Sequence, residues 1–399
     1  MKHALFLATR ALWWYRGRTT TIVLCLMLTL WLPVTVRLVL RQFQQEIAWR
    51  SQSTPLVIGA PGSRVDLVLH ALYLQTRPAT QISMSEVEYI NGTGFATAIP
   101  LNARYLTQGK NGAAGVPIVG TSIEYFEFRN LQTASGTRPL LLGDCVVGAE
   151  AARKLRLNVG DTILSASQNA FDIAGDYPLQ LKVVGVLQAA HSPDDEVVFT
   201  DVTTTWVIAG IGHGHQSLEG ADVDPGLLLQ SDQGSVTANA AVLPYTQITE
   251  SNIDSFHFHG DPGTFPLTAV IAVPASEKSR ILLMGRYAAA RDSAQCLKPG
   301  DVIGELMAIV LRVEQLMRLS SLLAAIVTTL MLSLVLFLSL RLRAAEINTM
   351  FCLGCSRGTI ARIVGSEILL MLGTAAVLSS GLAIISTQLA SDVLRSLLF

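Results

Sequence analysis

RLRAAEINTMFCLGCSRGTIAR, Arg341–Arg362, lies between two stretches suited to lipid, and it carries four arginines, one glutamate and two glycines. The chain leaves the apolar phase for about twenty residues, turns on glycine and returns. Upstream, Ser320–Leu340 is almost wholly apolar; downstream, Ile363–Leu389 is apolar with many small residues. A third such window, Thr19–Leu40, lies near the N-terminus. Each supplies the ~20 residues that a helix rising 1.5 Å per residue needs to cross a ~30 Å hydrocarbon core. Half of the 399 residues are apolar, 15% are charged, and mean hydropathy is +0.44. These values exclude an ordinary soluble domain throughout. The apolar run of the first window is too long for a signal h-region, and no small-x-small cleavage site follows it, so it reads as an uncleaved anchor.

Arginine placement sets the expected orientation. Residues 1–18 carry Lys2, Arg10, Arg16 and Arg18 without an acid, and the 341–362 segment carries Arg341, Arg343, Arg357 and Arg362 against Glu346. By the positive-inside rule both face the cytoplasm, which leaves the long insert outside. Residues 1–41 and 306–399 hold 13 of the 29 Lys+Arg but only 4 of the 30 acids, leaving 16 bases and 26 acids for the insert. That acidic balance argues against nucleic-acid binding and permits cationic ligands.

The expected fold is an α+β membrane protein with about three transmembrane helices and a large mixed α/β extracytoplasmic domain inserted after the first. Residues 1–18 form a cytoplasmic amphipathic N-terminus, 19–50 the first span and a stalk, and 51–303 the outer domain. Residues 304–340 form a stalk and second span, 341–362 a cytoplasmic segment, 363–389 the third span and 390–399 a tail. Between Gly304 and Arg343 there is no proline and no further glycine, which predicts one helix of some forty residues, ~60 Å long. Leu306, Val310, Val313 and Met317, and likewise Val36, Val39, Phe43 and Ile47, recur at helical spacing. Two such stripes fit a paired stalk, or two helices packed on the outer domain. Within the insert, CVV, LKVVGVLQ, EVVFT and LTAVIAVP read as strands, AEAARKLRL as a helix and Asn158–Asp161 as a turn. In the third span, Gly373, Ala376, Ser380 and Gly381 offer a small-residue face for packing on another span. Glu367, costly in hydrocarbon, reads as a structural group at the boundary or as a proton-transfer group.

The chemistry-bearing residues are few. No phosphate-binding loop occurs: Gly109-Lys110 is followed by Asn111 and lacks the upstream glycine. HExxH and GxSxG are absent too, so no enzymatic activity is expected in this chain. Cys352-x-x-Cys355 has neither a second pair nor a nearby histidine to complete a metal site. Cys145 and Cys296, both outside, are either a disulfide or two small core residues. Four of the seven histidines fall in two His-x-His pairs, His213/His215 and His257/His259. On an extended segment, residues two apart project to one face, so the pairs, or one pair with Asp194 or Asp261, suit Zn²⁺ or Cu²⁺. The other reading is polar loop residues bonded to backbone.

Glu346-Ile347, Leu353-Gly354-Cys355-Ser356-Arg357, Ile360 and the acidic Glu367 resemble the pattern of FtsX/MacB-type (type VII) ABC permeases, with Cys355 where alanine is usual. Cys145–Ile163, LKVVGVLQ and DDEVVFT resemble the MacB-like periplasmic core domain, and TPLVIGAPGSRVDLVLHALY resembles one branch of these permeases. The resemblance implies a subunit of a bacterial inner-membrane transporter or mechanotransmission complex. It would pair with itself or a related permease and rely on ATP bound by a separate ABC ATPase subunit. Membrane lipids and a periplasmic adaptor or substrate protein are the further partners implied. It also implies that Arg343, Glu346, Ile347, Leu353, Gly354, Ser356, Arg357 and Ile360 form the ATPase-coupling element, where residues alone would equally allow a plain cytoplasmic turn. Such permeases usually have four spans, whereas this chain ends at Phe399 after the third, which suggests a fragment or a fourth span supplied from elsewhere. Two rival readings are a membrane-anchored metal-binding receptor and an FtsX-like regulator of an external cell-wall hydrolase.

Overall fold

The computed structural model describes residues 2–74, 80–109, 115–139, 141–166, 178–214, 228–232, 235–238, 245–290 and 293–398. The chain opens with helices α1 (Lys2–Trp14) and α2 (Arg16–Ser53). There follow β1 (Leu56–Gly59), α3 (Arg64–Tyr73), β2 (Ile82–Ser83), α4 (Ser85–Thr93), β3 (Ala96–Leu106), β4 (Pro117–Thr121) and α5 (Ile123–Phe128). Next come β5 (Thr133–Gly136), β6 (Asp144–Val147), α6 (Ala149–Leu155), β7 (Thr162–Leu164), β8 (Gln180–Leu187), β9 (Val198–Asp201) and α7 (Val202–Ile208). Two separate two-stranded pairs use β10 (Gly212–Gly214), β11 (Leu228–Asp232), β12 (Ser235–Ala238) and β13 (Phe256–Phe258). Then follow β14 (Pro266–Leu267), β15 (Ala269–Pro274), α8 (Glu277–Ala290), β16 (Gln295–Leu297), α9 (Pro299–Leu342), α10 (Ala344–Cys352) and α11 (Arg357–Leu398).

Two compact units result, one from residues 1–47 and 304–398 and the other from 48–303. In the first, three helices are long and apolar enough to cross a membrane: Arg16–Ser53, Arg318–Leu342 and Arg357–Leu389. The forty-residue helix read from the glycine- and proline-free run is α9, at 44 residues. Of the two helical stripes, the side chains of Val310, Val313, Met317 and Phe43 lie outside the described residues. Ile22 and Leu26 of α2 pack with Met371 and Ala375 of α11, flanked by Leu12 of α1 and Leu332 and Val335 of α9. Thr29 and Thr328 meet at 3.2 Å, and the Trp31 indole donates to Ser386 at 3.2 Å.

The second unit is built on a mixed sheet of order β16-β1-β15-β3-β4-β9-β6-β8-β5, with β7 paired to β8. Most pairings are antiparallel; β4–β9 and β6–β8 are parallel. The parallel β6–β8 pair follows from the sequence between its strands, where α6 supplies the crossover that parallel pairing requires. β1 and most of β15 are buried on both faces, which is why LVIG and AVIAV read as continuous apolar runs rather than alternating ones. Two clusters fill the interior. One is centred on Leu56, Ile58, Trp206, Phe265 and Leu267, the other on Ile118, Cys145, Val147, Leu181 and Val198.

The disulfide reading of Cys145 and Cys296 is corrected here. Cys145 lies on β6 and Cys296 on the edge strand β16, six strand positions apart, and both thiols are free. At ~4.8 Å per strand that separation is roughly 29 Å, against the ~4.4–6.8 Å between Cα atoms that a disulfide spans. Burial pushes both thiols up, Cys296 to about 12, so each is a small protonated core residue.

One buried network was not anticipated. Arg50, in the last turn of α2 and 3% exposed, donates to both carboxylate oxygens of Asp194 at 2.8 and 3.0 Å and, through Nε, to the Leu72 carbonyl. Tyr125 Oη donates to Asp194 at 2.7 Å, and so does the Ser192 hydroxyl at 2.8 Å. Arg129 closes the group by donating to Thr54 at 2.9 Å. The Asp194 loop is shaped by local contacts: Ser192 and Asp195 cap each other's backbone as a capping box, and His191 takes a left-handed φ of 52°. Gly148 is required beside it, because a Cβ there would sit 2.4 Å from the Asp194 carbonyl oxygen. Burial alone would raise the Asp194 carboxyl; the Arg50 guanidinium and its hydrogen bonds outweigh that and hold it well below the ordinary carboxylate range. These commitments remove Asp194 from any metal site.

Breaking this pair leaves an uncompensated charge indoors. Arg50→Met or Asp194→Asn should each cost about 3–5 kcal/mol, and Arg50→Met/Asp194→Leu clearly less than the two single losses together, measured as unfolding of the full chain in mild detergent. Because the folded carboxyl titrates below its unfolded counterpart, its contribution is present above pH ~4 and is lost as pH falls toward the folded value. An acid titration of stability should therefore be steeper in the wild type than in Asp194→Asn.

Candidate functional site

The segment read as the coupling element is α10 with the turn that follows. Its termination is set by hydrogen bonding. The Gly354 N–H reaches the Phe351 carbonyl and the Cys355 N–H the Met350 carbonyl, both at 3.0 Å, with Gly354 at φ +92°. This is a Schellman stop, in which the residue after the cap must adopt the left-handed conformation that glycine tolerates. Ser356 then starts α11 at once: its carbonyl accepts from the Ile360 N–H and its hydroxyl from the Thr359 N–H. Leu353-Gly354-Cys355-Ser356 is thus one stop and one start with nothing between. Phe351 and Leu353 project outward at 47% and 80% exposed, and Arg357 lies exposed with its guanidinium 5.9 Å from the Phe351 ring centroid. Ile347 and Ile360 are half-buried; the side chain of Glu346 lies outside the described residues.

Arg343 differs from its neighbours. Its Nη1 donates to both oxygens of Glu367 at 3.1 and 3.2 Å, both side chains are largely buried, and its guanidinium lies over the Tyr15 ring at 5.4 Å. The Glu367 carboxylate is therefore a structural partner, tying the start of α10 to α11 with the α1–α2 junction stacked behind. Its position also fixes the rotation of α11. Ile363, Glu367, Met371, Ala375, Ser379 and Ala383, each four residues from the last, form the buried stripe. Gly373, Ala376, Ser380 and Gly381, taken from sequence as the packing face, are exposed in the single chain, and nothing lies within 4 Å of a Cβ built at either glycine. Ala376, nine residues beyond Glu367, lies half a turn away from it at 3.6 residues per turn.

In the second unit, β10 and β13 pair antiparallel with His213 opposite His257. His259 joins them, and the candidate ligand atoms of the three histidines lie within 4.8 Å of one another. His215 lies outside the described residues. Asp261 is taken up locally, accepting from the Gly263 N–H at 3.0 Å. Sequence reasoning found the histidines but missed the Arg50 network. Its only linear signs are a basic residue where α2 ends and the turn-rich SPDDE.

The model of the MacB-like periplasmic core domain matches residues 21–249. Solved structures that match include the periplasmic region of MacB from Actinobacillus actinomycetemcomitans, at 12% identity and TM-score 0.35, covering 64% of this chain and 94% of that one. The extracellular domain of the noncanonic ABC-type transporter YknZ from Gram-positive bacteria matches at 12% identity and TM-score 0.34, covering 61% and 99%. A domain of a Porphyromonas gingivalis permease protein matches at 10% identity and TM-score 0.28, covering 62% and 89%. No curated protein matches the chain in sequence. By the domain match, which extends over more than half its length, the chain belongs to the MacB/FtsX-type ABC-transporter permeases that carry the MacB-like periplasmic core domain.

Proposed function

We propose that the chain is the non-enzymatic permease subunit of an export or mechanotransmission complex, and that a partner ABC ATPase docks on α10 and the turn at Gly354. The carrying observation is the exposed Phe351–Leu353 edge with Arg357 beside it, displayed on a turn that the Schellman stop and the Ser356 cap leave no slack to bend. Apolar side chains flanked by a guanidinium suit a groove on a soluble partner with acidic residues at its rim. Behind them, the Arg343–Glu367 pair joins α10 to α11, so a push on the turn would be carried into the helix rather than absorbed. In this reading residues 1–18 and 341–362 are cytoplasmic, residues 51–303 lie on the outer face of a bacterial inner membrane, and the chain handles a lipid, lipoprotein or peptide. The open Gly373–Ala376–Ser380 face of α11 would receive a second permease chain, where small residues permit close approach.

Affinity purification of the tagged full-length protein in mild detergent tests the docking. The wild type should bring down an ABC ATPase subunit, and Leu353→Asp and Glu346→Ala/Arg357→Ala should lose at least about nine-tenths of it while remaining folded by size exclusion. Capture that is absent from the wild type, or equal in all three, overturns the proposal.

A further inference from the structure

We propose that His213, His257 and His259 form a binding site for a late first-row divalent cation, with Zn²⁺ the favoured occupant, on the β10–β13 ribbon of the second unit. This stands independently of ATPase docking, which concerns other residues.

The ribbon's sequence forces three imidazoles onto one face. Residues directly opposite in an antiparallel pair share a face, which places His213 beside His257. His259 follows His257 by two and so returns to the same side, held there by its backbone N–H donating to the Ile211 carbonyl at 3.1 Å. The reverse face is closed by aromatics. The Phe258 ring covers Gly212 and the Phe256 ring covers Gly214, so closely that a Cβ at either glycine would come within 2.5 or 2.7 Å of a ring carbon. Phe258 in turn packs edge-on to Trp206 at 6.5 Å and lies 6.0 Å from Phe265, while Phe256 lies 6.4 Å from Tyr245. Phe258 rests on one hydrophobic cluster of the unit and Phe256 on the other. A slip of one residue would drive phenylalanines to the outer face, so the register and the histidine face are fixed together.

The donor set suits such an ion. Ring centroids are 4.8, 4.9 and 4.9 Å apart, a near-equilateral triangle. Ligand atoms within 4.8 Å need only side-chain rotation to reach the ~3.3 Å edge of a tetrahedron around an ion at ~2.0–2.1 Å. His257 Nδ1 lies 3.1 Å from the Ser255 carbonyl, an outer contact of the kind that orients a ligating ring. Among the described residues no carboxylate joins the cluster, and an all-imidazole set selects Zn²⁺ or Cu²⁺ over Mg²⁺ or Ca²⁺. His213 and His257 are half-buried and His259 exposed, so three protein ligands leave the fourth position open to water or an outside donor. Because residues 215–255 separate the two strands, a bound ion would also close that excursion and stabilise the fold by mass action.

The test is calorimetric titration of ZnCl₂ into the EDTA-stripped full-length protein in detergent, with MgCl₂ as control and thermal unfolding alongside. One Zn²⁺ per chain should bind, Mg²⁺ should not, and Zn²⁺ should raise the unfolding temperature. His259→Gln, on the exposed corner where folding is spared, should weaken Zn²⁺ at least about tenfold, and His213→Gln/His257→Gln should abolish both uptake and thermal shift. His191→Gln should take up Zn²⁺ as the wild type does. No uptake by the wild type, or uptake unchanged in His259→Gln, overturns the proposal.

Discussion

A guanidinium taken out of water at the end of the first long helix has to be answered by a carboxylate in register, and much of the second unit's arrangement provides that answer. Arg50 leaves α2 already buried, and its charge is met by Asp194, held by Tyr125, Ser192 and the backbone geometry of the SPDDE loop. The pair adds little net stability over apolar residues of equal volume. It makes the wrong arrangement expensive, because either partner alone would be a bare charge indoors. Gly148 and the left-handed His191 follow from it, since the loop can present Asp194 only by pressing its backbone against the start of α6.

The same physics recurs at Arg343 and Glu367, where an acid near hydrocarbon is tolerated because a cation from the neighbouring helix reaches both its oxygens. The consequence is directional. Once Glu367 faces Arg343, every fourth residue of α11 follows it inward, and the small residues on the far side are left exposed within this chain. Between the two helices, the stop at Gly354 and the start at Ser356 hold Phe351 and Leu353 outward. That combination, braced behind and exposed in front, is what the proposed docking of an ATPase rests on.

Much of this was legible in one dimension. The three lipid-length helices, the strands at CVV, LKVVGVLQ and EVVFT, the α6 helix and the turn at Asn158–Asp161 all carried local signals, either hydrophobic period or turn chemistry. The histidine pairs were visible as spacing, and the three that lie among the described residues meet in space. Two readings failed for one reason: they required distances between remote segments. Cys145 and Cys296 share a compartment, yet strand order puts them far apart. Asp194 looked like a spare ligand until Arg50, 144 residues away, claimed it. The small residues of α11 lie on the face left exposed within this chain, because the buried face is the one that carries Glu367.

Sequence by itself determined which segments suit lipid, which form strands, and where the chain between the spans must stop and restart, because helix length, side-chain period and glycine's freedom at positive φ act over a few residues. Tertiary structure alone decided which charges are partners, which face of α11 is buried, and that His213 stands opposite His257. Those outcomes depend on strand order and helix rotation, which are set by burying the whole apolar surface at once and are written in no single stretch of the chain.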